Sequence, residues 1–163
     1  MTALLKCLRG VAFAAVLAPY AALAQATPPE PRIVSDAVVS AEWIAKALAS
    51  SGYRADFSLQ SLKDVDRFFE ENAVAGKPRP GGLLSRDLGP RIFALGAYVG
   101  EVIRRQAGGK WEGDDNDPNA EINLAVRLKS EAIASPVQRV MKRYKNGAED
   151  GIYAYGFALV RAE

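Results

Sequence analysis

One cysteine, Cys7, and no histidine at all constrain this chain more than any pattern in it. A lone thiol forms no intramolecular disulfide, and without imidazoles or a set of thiolates there is no structural zinc site of the usual kind. Folding has to come from packing alone. The 163 residues permit that, even after removal of a leader, because a domain of this size buries about two-thirds of the surface its unfolded chain exposes. The same two absences narrow the chemistry. They exclude Ser-His-Asp triads, Cys-His pairs, iron–sulfur clusters and imidazole pH switches. No cofactor is expected.

The N-terminus reads as an export signal. Lys6 and Arg9 precede the apolar run Val11–Ala18 (VAFAAVLA), and Ala24-Gln25-Ala26 supplies small residues for cleavage. Pro19 interrupts the run, which is shorter than the roughly 20 residues of a membrane span. Removal after Ala26 is therefore expected, with no stable membrane anchor. Cys7 lies ahead of the apolar run and away from the cleavage point, so it is not a lipid-attachment cysteine. The resulting division is a signal peptide over 1–26, a flexible proline-rich leader over 27–34 and a single domain over 35–163. The protein would then be periplasmic or secreted. The chain carries 21 basic and 19 acidic residues, and Lys6 and Arg9 account for its net +2. A balanced mature domain lacks the concentrated positive charge that nucleic-acid binding needs.

Periodicity sets out the domain. Ser35 or Asp36 caps a helix reaching Ser50, with Val34, Val38, Ala41, Ala45 and Leu48 as its apolar stripe and Trp43 near the edge. Gly52 serves as its stop. Tyr53–Phe57 alternates as a short strand or an extended connector. Ser61 to Asp64 resembles a capping box, opening a helix that buries Leu62, Val65, Phe68 and Phe69 and runs to Gly76. Asp64, Asp66, Glu70 and Glu71 face solvent. Gly76–Pro90 is a long Gly- and Pro-rich loop, functional or mobile by its length, with Leu83 and Leu84 at its tip or packed on the core. Pro90 starts a third helix with Ile92, Leu95, Val99 and Val102 in one line, closed by Gly108-Gly109. Its Gly96 and Gly100, one turn apart, suit a close backbone approach.

Lys110–Glu112, Ile122–Leu128 and Glu131–Ala134 read as strands of a small meander. Ser135-Pro136 with Gln138 opens another helix, striped by Val137, Val140, Met141 and Tyr144 and ended by Gly147. Ala148–Val160 is expected to be helical. The fold class is α+β: several helices packed on a small antiparallel sheet in one domain.

Leu95–Val102 (LGAYVGEV), Gly108–Trp111 (GGKW) and Pro136–Gly147 (PVQRVMKRYKNG) resemble, as a set, a bacterial domain-of-unknown-function family, with a weaker echo at Asp56–Leu62 (DFSLQSL). The resemblance covers about the C-terminal half of the mature chain. It implies a helix, a Trp-bearing strand, a small sheet and a basic helix, and it transfers no catalytic residue.

Several charged groups are candidates for function. Glu101, Arg104 and Arg105 are spaced as helical neighbours. They read either as a surface ion pair contributing about 0.3–0.5 kcal/mol, or as a carboxylate held in a cleft against Trp111 to serve as general acid or ligand contact. A glycosidase needs a second carboxylate across the substrate, and no spacing supplies one. The acidic stretch Glu112–Glu121 places Asp115, Asp117 and Asn119 like the start of a calcium loop, but Ala120 and Val126 stand where that loop needs Gly and Glu. A solvated hairpin turn fits better. Arg139, Lys142, Arg143 and Lys145 form a basic helix end that suits the helix dipole and offers an anion site or a docking surface. Trp43 and Trp111 read as core anchors.

The expected ligand or partner contacts are therefore Glu101, Arg104, Arg105, Trp111, Lys142 and Arg143, with no catalytic or metal-binding residue. The leading expectation is an exported protein that binds an envelope or secreted protein, in an inhibitor, immunity or accessory role. A carboxylate-dependent hydrolase of cell-envelope glycans using Glu101 and a small-anion binder are the alternatives.

Overall fold

Helix α3 (Leu88–Ala107) is the axis of the computed structural model, which describes residues 29–163. Every residue from Ile92 to Ile103 is buried. The periodicity suggests one apolar line, but a helix apolar on all sides is surrounded on all sides. Packed around α3 are α1 (Arg32–Ser50), α5 (Pro136–Asn146) and α6 (Ile152–Arg161), while α2 (Leu62–Asn72) rests chiefly on α6. Strands β3 (Lys110–Glu112), β4 (Ala125–Arg127) and β5 (Ile133–Ala134) form an antiparallel sheet in that order, with Trp111 opposite Val126 and Val126 opposite Ala134. A second ribbon pairs β1 (Ala73–Val74) with β2 (Lys77–Pro78), and α4 (Ala120–Asn123) is a single turn before β4. The architecture is α+β. Among the described residues no helix is long and apolar enough to cross a membrane.

The expected signal peptide, its expected cleavage after Ala26 and the first residues of the expected leader lie outside the described residues. The leader ends sooner than the sequence suggests. Helix α1 begins at Arg32, not at Ser35 or Asp36, because Asp115 accepts the N–H groups of Arg32 (2.7 Å) and Ile33 (2.9 Å). These donors hold the Asp115 carboxyl below its usual range. A cap donated from across the fold leaves no local trace. The buried stripe of α1 is Val34, Ala37, Ala41, Ile44, Ala45 and Leu48, with Val38 at its edge. Trp43 is 52% exposed and is no core anchor. It sits two positions from Ala41, about 200° around the helix.

Helix α2 buries Leu62, Val65, Phe68 and Phe69 as expected, but it stops at Asn72 rather than Gly76. The chain then turns back through Ala75 (φ 48°) and Gly76 (φ 71°), the two positive φ values a tight hairpin requires. The Asn72 side chain donates to Phe68 O and Tyr53 Oη and accepts from Leu83 N, so it staples the Gly76–Pro90 loop to the body. Leu84 is buried in the core and Leu83 stays exposed. Tyr53–Phe57 is a connector without strand structure. Tyr98 of α3 holds it, accepting from Phe57 N (3.2 Å) and sharing a 2.6 Å hydrogen bond with Ser61 Oγ. The strand expected over Ile122–Leu128 is shorter: Ile122 belongs to α4, β4 itself buries Ala125 and Val126, and Leu124 and Leu128 are buried on either side of it. Ala148–Val160 is helical from Ile152 onward, after a 3-10 turn.

Gly96 and Gly100 do admit a close approach. A Cβ on Gly96 would lie 2.6 Å from Val137 Cα, and one on Gly100 would lie 2.0 Å from Trp111 Cη2. Gly96→Ala gains about 1 kcal/mol of helix propensity. It must also push the α5 backbone away from α3, and overpacking a tight core costs about 1–3 kcal/mol. The net result expected is a loss of up to about 2 kcal/mol, read as a lower urea midpoint at unchanged m-value.

Candidate functional site

The structure brings four of the six expected contact residues together. Glu101, on α3, has no solvent exposure. Its Oε1 accepts from Arg104 Nε (2.6 Å) and Trp111 Nε1 (2.8 Å), and its Oε2 from Arg104 Nη2 (3.0 Å) and Arg105 Nε (2.8 Å). The α-helical spacing supplies both arginines, and β3 presents the indole across the end of α3. Arg105 reaches on to Glu42 of α1 (2.7 Å) and lies over the Phe57 ring, 3.7 Å from its centroid.

Burial alone would raise the Glu101 pKa. The donors from Arg104, Trp111 and Arg105 outweigh it and bring the carboxyl down from 4.5 to about 2. The cluster is therefore neither the surface pair nor the open cleft that the spacing suggests. It is an interior carboxylate whose lone pairs are taken and which holds no proton to donate at neutral pH. Its role is to clamp α1, α3 and β3 together. Trp111, half-buried against Gly100, is the packing anchor expected of it.

Arg143 belongs to a different part of the molecule and faces inward. Its side chain is 4% exposed, with Nε 2.8 Å from Asp66 Oδ1 and Nη2 at 3.2 Å from Glu70 Oε1. Arg143 is thus not a free docking residue, and Asp66 is not a solvent-facing one. Asp66 also accepts from Ile152 N and Tyr153 N, both at 2.9 Å, capping α6 from a separate helix. Arg139 pairs with Asp150 at 2.8 Å. Of the basic helix end, only Lys142 and Lys145 are exposed with no ion pair among the described residues.

Those two lysines stand on the rim of an apolar groove of about 770 Å³. Leu88, Ile92 and Phe93 of α3 form one wall. Val137, Met141 and Tyr144 of α5 form the opposite wall, and Ile122 of α4 closes one end. Ile122 and Met141 are 38% and 40% exposed. Glu121 of α4 lines the same end as Ile122. This volume is within the roughly 300–1,000 Å³ typical of ligand sites. Of the expected contact residues, only Lys142 lines it. Met141 carries the stripe spacing of a buried residue, and Ile122 carries the alternation of a strand, so neither reads as surface from sequence. Their exposure follows from where α4 ends and how α5 is rotated.

The chain matches no family model, no curated protein and no solved structure.

Proposed function

We propose that this is an exported protein that acts by binding another macromolecule, in an inhibitor, immunity or accessory role. The observation that carries the reading is the groove between α3, α4 and α5, an open apolar concavity with two lysines on its rim that have no ion pair among the described residues. Exposed apolar side chains joined into one patch mark an interaction surface, whereas scattered ones do not. The export signal over 1–26 puts the partner in the envelope or outside the cell. The likeness of LGAYVGEV, GGKW and PVQRVMKRYKNG to a bacterial domain family belongs to the same proposal and adds no activity to it. The hydrolase alternative draws no support from Glu101, which is ionised and sealed. Arg104 and Arg105 are engaged by Glu101 and offer little to a free anion.

The test compares wild type with Ile122→Gln/Met141→Gln, which makes the groove polar at two already exposed positions and should leave the melting temperature nearly unchanged. The wild-type chain, expressed with its own leader and recovered from the envelope fraction, is expected to retain a stoichiometric partner that the double variant loses. Equal retention by both would move the site elsewhere. No retention by either would remove the proposed function.

A further inference from the structure

We infer that the groove takes an amphipathic helix whose apolar stripe is flanked by carboxylates, contributed by the partner protein. This rests on the binding role proposed above and specifies the occupant. Lys142 and Lys145 are one helical turn apart on α5, so their side chains leave it about 5–6 Å apart. Carboxylates one turn apart on a second helix have the same spacing, which lets the two pairs meet in register. The apolar floor between α3 and α5 accepts side chains repeating at three and four positions, the usual way a helix lies in a groove.

The charges lining the groove set the orientation. Both rim cations are on the α5 side, and neither has a carboxylate partner among the described residues. Glu121, at the α4 end of the groove, would repel an acid placed beside it. An acidic flank therefore faces α5, and the end of the helix nearest α4 carries no acid. The neighbouring cations Arg139 and Arg143 do not compete, since each is already paired within the fold. A basic or purely neutral helix would leave the two lysines without a counterion while covering the apolar floor.

Two synthetic peptides of about 18 residues, long enough for partial helicity, test the assignment. Both carry leucines on one stripe. One has glutamates one turn apart along a flank, and the other has glutamines in their place. Binding to the full protein is followed by fluorescence anisotropy at low and high salt. Wild type should bind the glutamate peptide about tenfold more tightly than its glutamine counterpart, an advantage that shrinks as salt screens the pairs. Lys142→Glu/Lys145→Glu should abolish that advantage with an unchanged circular dichroism spectrum, and Ile122→Gln/Met141→Gln should weaken both peptides alike.

Equal affinity for the two peptides, an advantage that survives charge reversal, or no binding of either would overturn the inference. The partner-retention experiment separates the two levels. A retained partner lost on polar substitution of the groove, combined with indifferent peptides, leaves the binding role standing and removes only the acidic helix. No retained partner removes the role and this assignment with it.

Discussion

Asp66→Ala is expected to destabilise the protein by about 4 kcal/mol, a large part of the roughly 5–15 kcal/mol that holds a domain of this size together. Two losses coincide. Arg143, 4% exposed, keeps its charge and loses its closest carboxylate. Leaving a buried charge without its partner costs about 3–5 kcal/mol. The N–H groups of Ile152 and Tyr153 lose their acceptor at the start of α6, a capping contribution of about 1 kcal/mol. Glu70, itself mostly exposed, compensates only in part at 3.2 Å. The companion Asp66→Ala/Arg143→Met should be more stable than the single variant, because an apolar pair of similar volume carries no stranded charge. Urea denaturation of both settles it. A double variant as unstable as the sum of the two single changes would show that the ion pair is not what matters at this contact.

Glu101→Gln is expected to cost about 3 kcal/mol at neutral pH and to change the acid limb of the stability curve. The amide keeps the shape, but it places an NH2 among donors from Arg104, Arg105 and Trp111. The two guanidiniums are about one-third exposed and recover some hydration, which keeps the loss at the lower end of the range for a broken buried pair. The sign of the pH effect follows from the lowered pKa. The unfolded chain binds a proton at this carboxyl near 4.5, while the folded protein resists until about 2. The stabilisation from Glu101 is therefore complete above about pH 5 and is lost as pH falls from 4.5 toward 2. A shift of that size corresponds to about 3 kcal/mol, matching the cost expected from the contacts.

The wild-type-minus-variant difference should be flat at neutral pH and should close on acidification. Subtraction matters because Asp56, hydrogen-bonded by Ser58, also titrates at about 2 and shapes the acid limb of both proteins. A difference that stays constant from pH 6 to about pH 2 would mean that Glu101 is not held ionised by its neighbours. The same variant bears on catalysis, since a structural carboxylate predicts lost stability with no glycan turnover to lose.

Helix identity was legible wherever neighbouring residues specify it. The stripe of α2, the Pro136 start and Gly147 end of α5, and the Gly96–Gly100 pair each rest on interactions within a few positions, so periodicity and turn chemistry suffice. The α+β class follows from the order of those elements. The β1–β2 ribbon escaped because two-residue strands have no period and Ala75-Gly76 lacks the usual Asn-Gly turn signal.

The misreadings have a common cause. Asp66 and Asp115 look like solvent-facing acids, yet each caps a helix distant in sequence. Arg143 looks like the third cation of a basic face, yet α2 supplies the acids that draw it inward. Met141 has the spacing of a core residue, yet the way α5 lies on α3 leaves it in the open groove.

Local pattern decided the helices, the crosslink-free core and the grouping of Glu101 with Arg104 and Arg105, because these depend on contacts one turn away or on the chain having a single cysteine. Tertiary packing decided which charges are spent inside and which remain on the surface. Burial depends on what the rest of the chain lays against a residue, and no spacing along the backbone encodes that. Lys142 and Arg143 are adjacent in sequence, yet one lines an open groove and the other is sealed against Asp66.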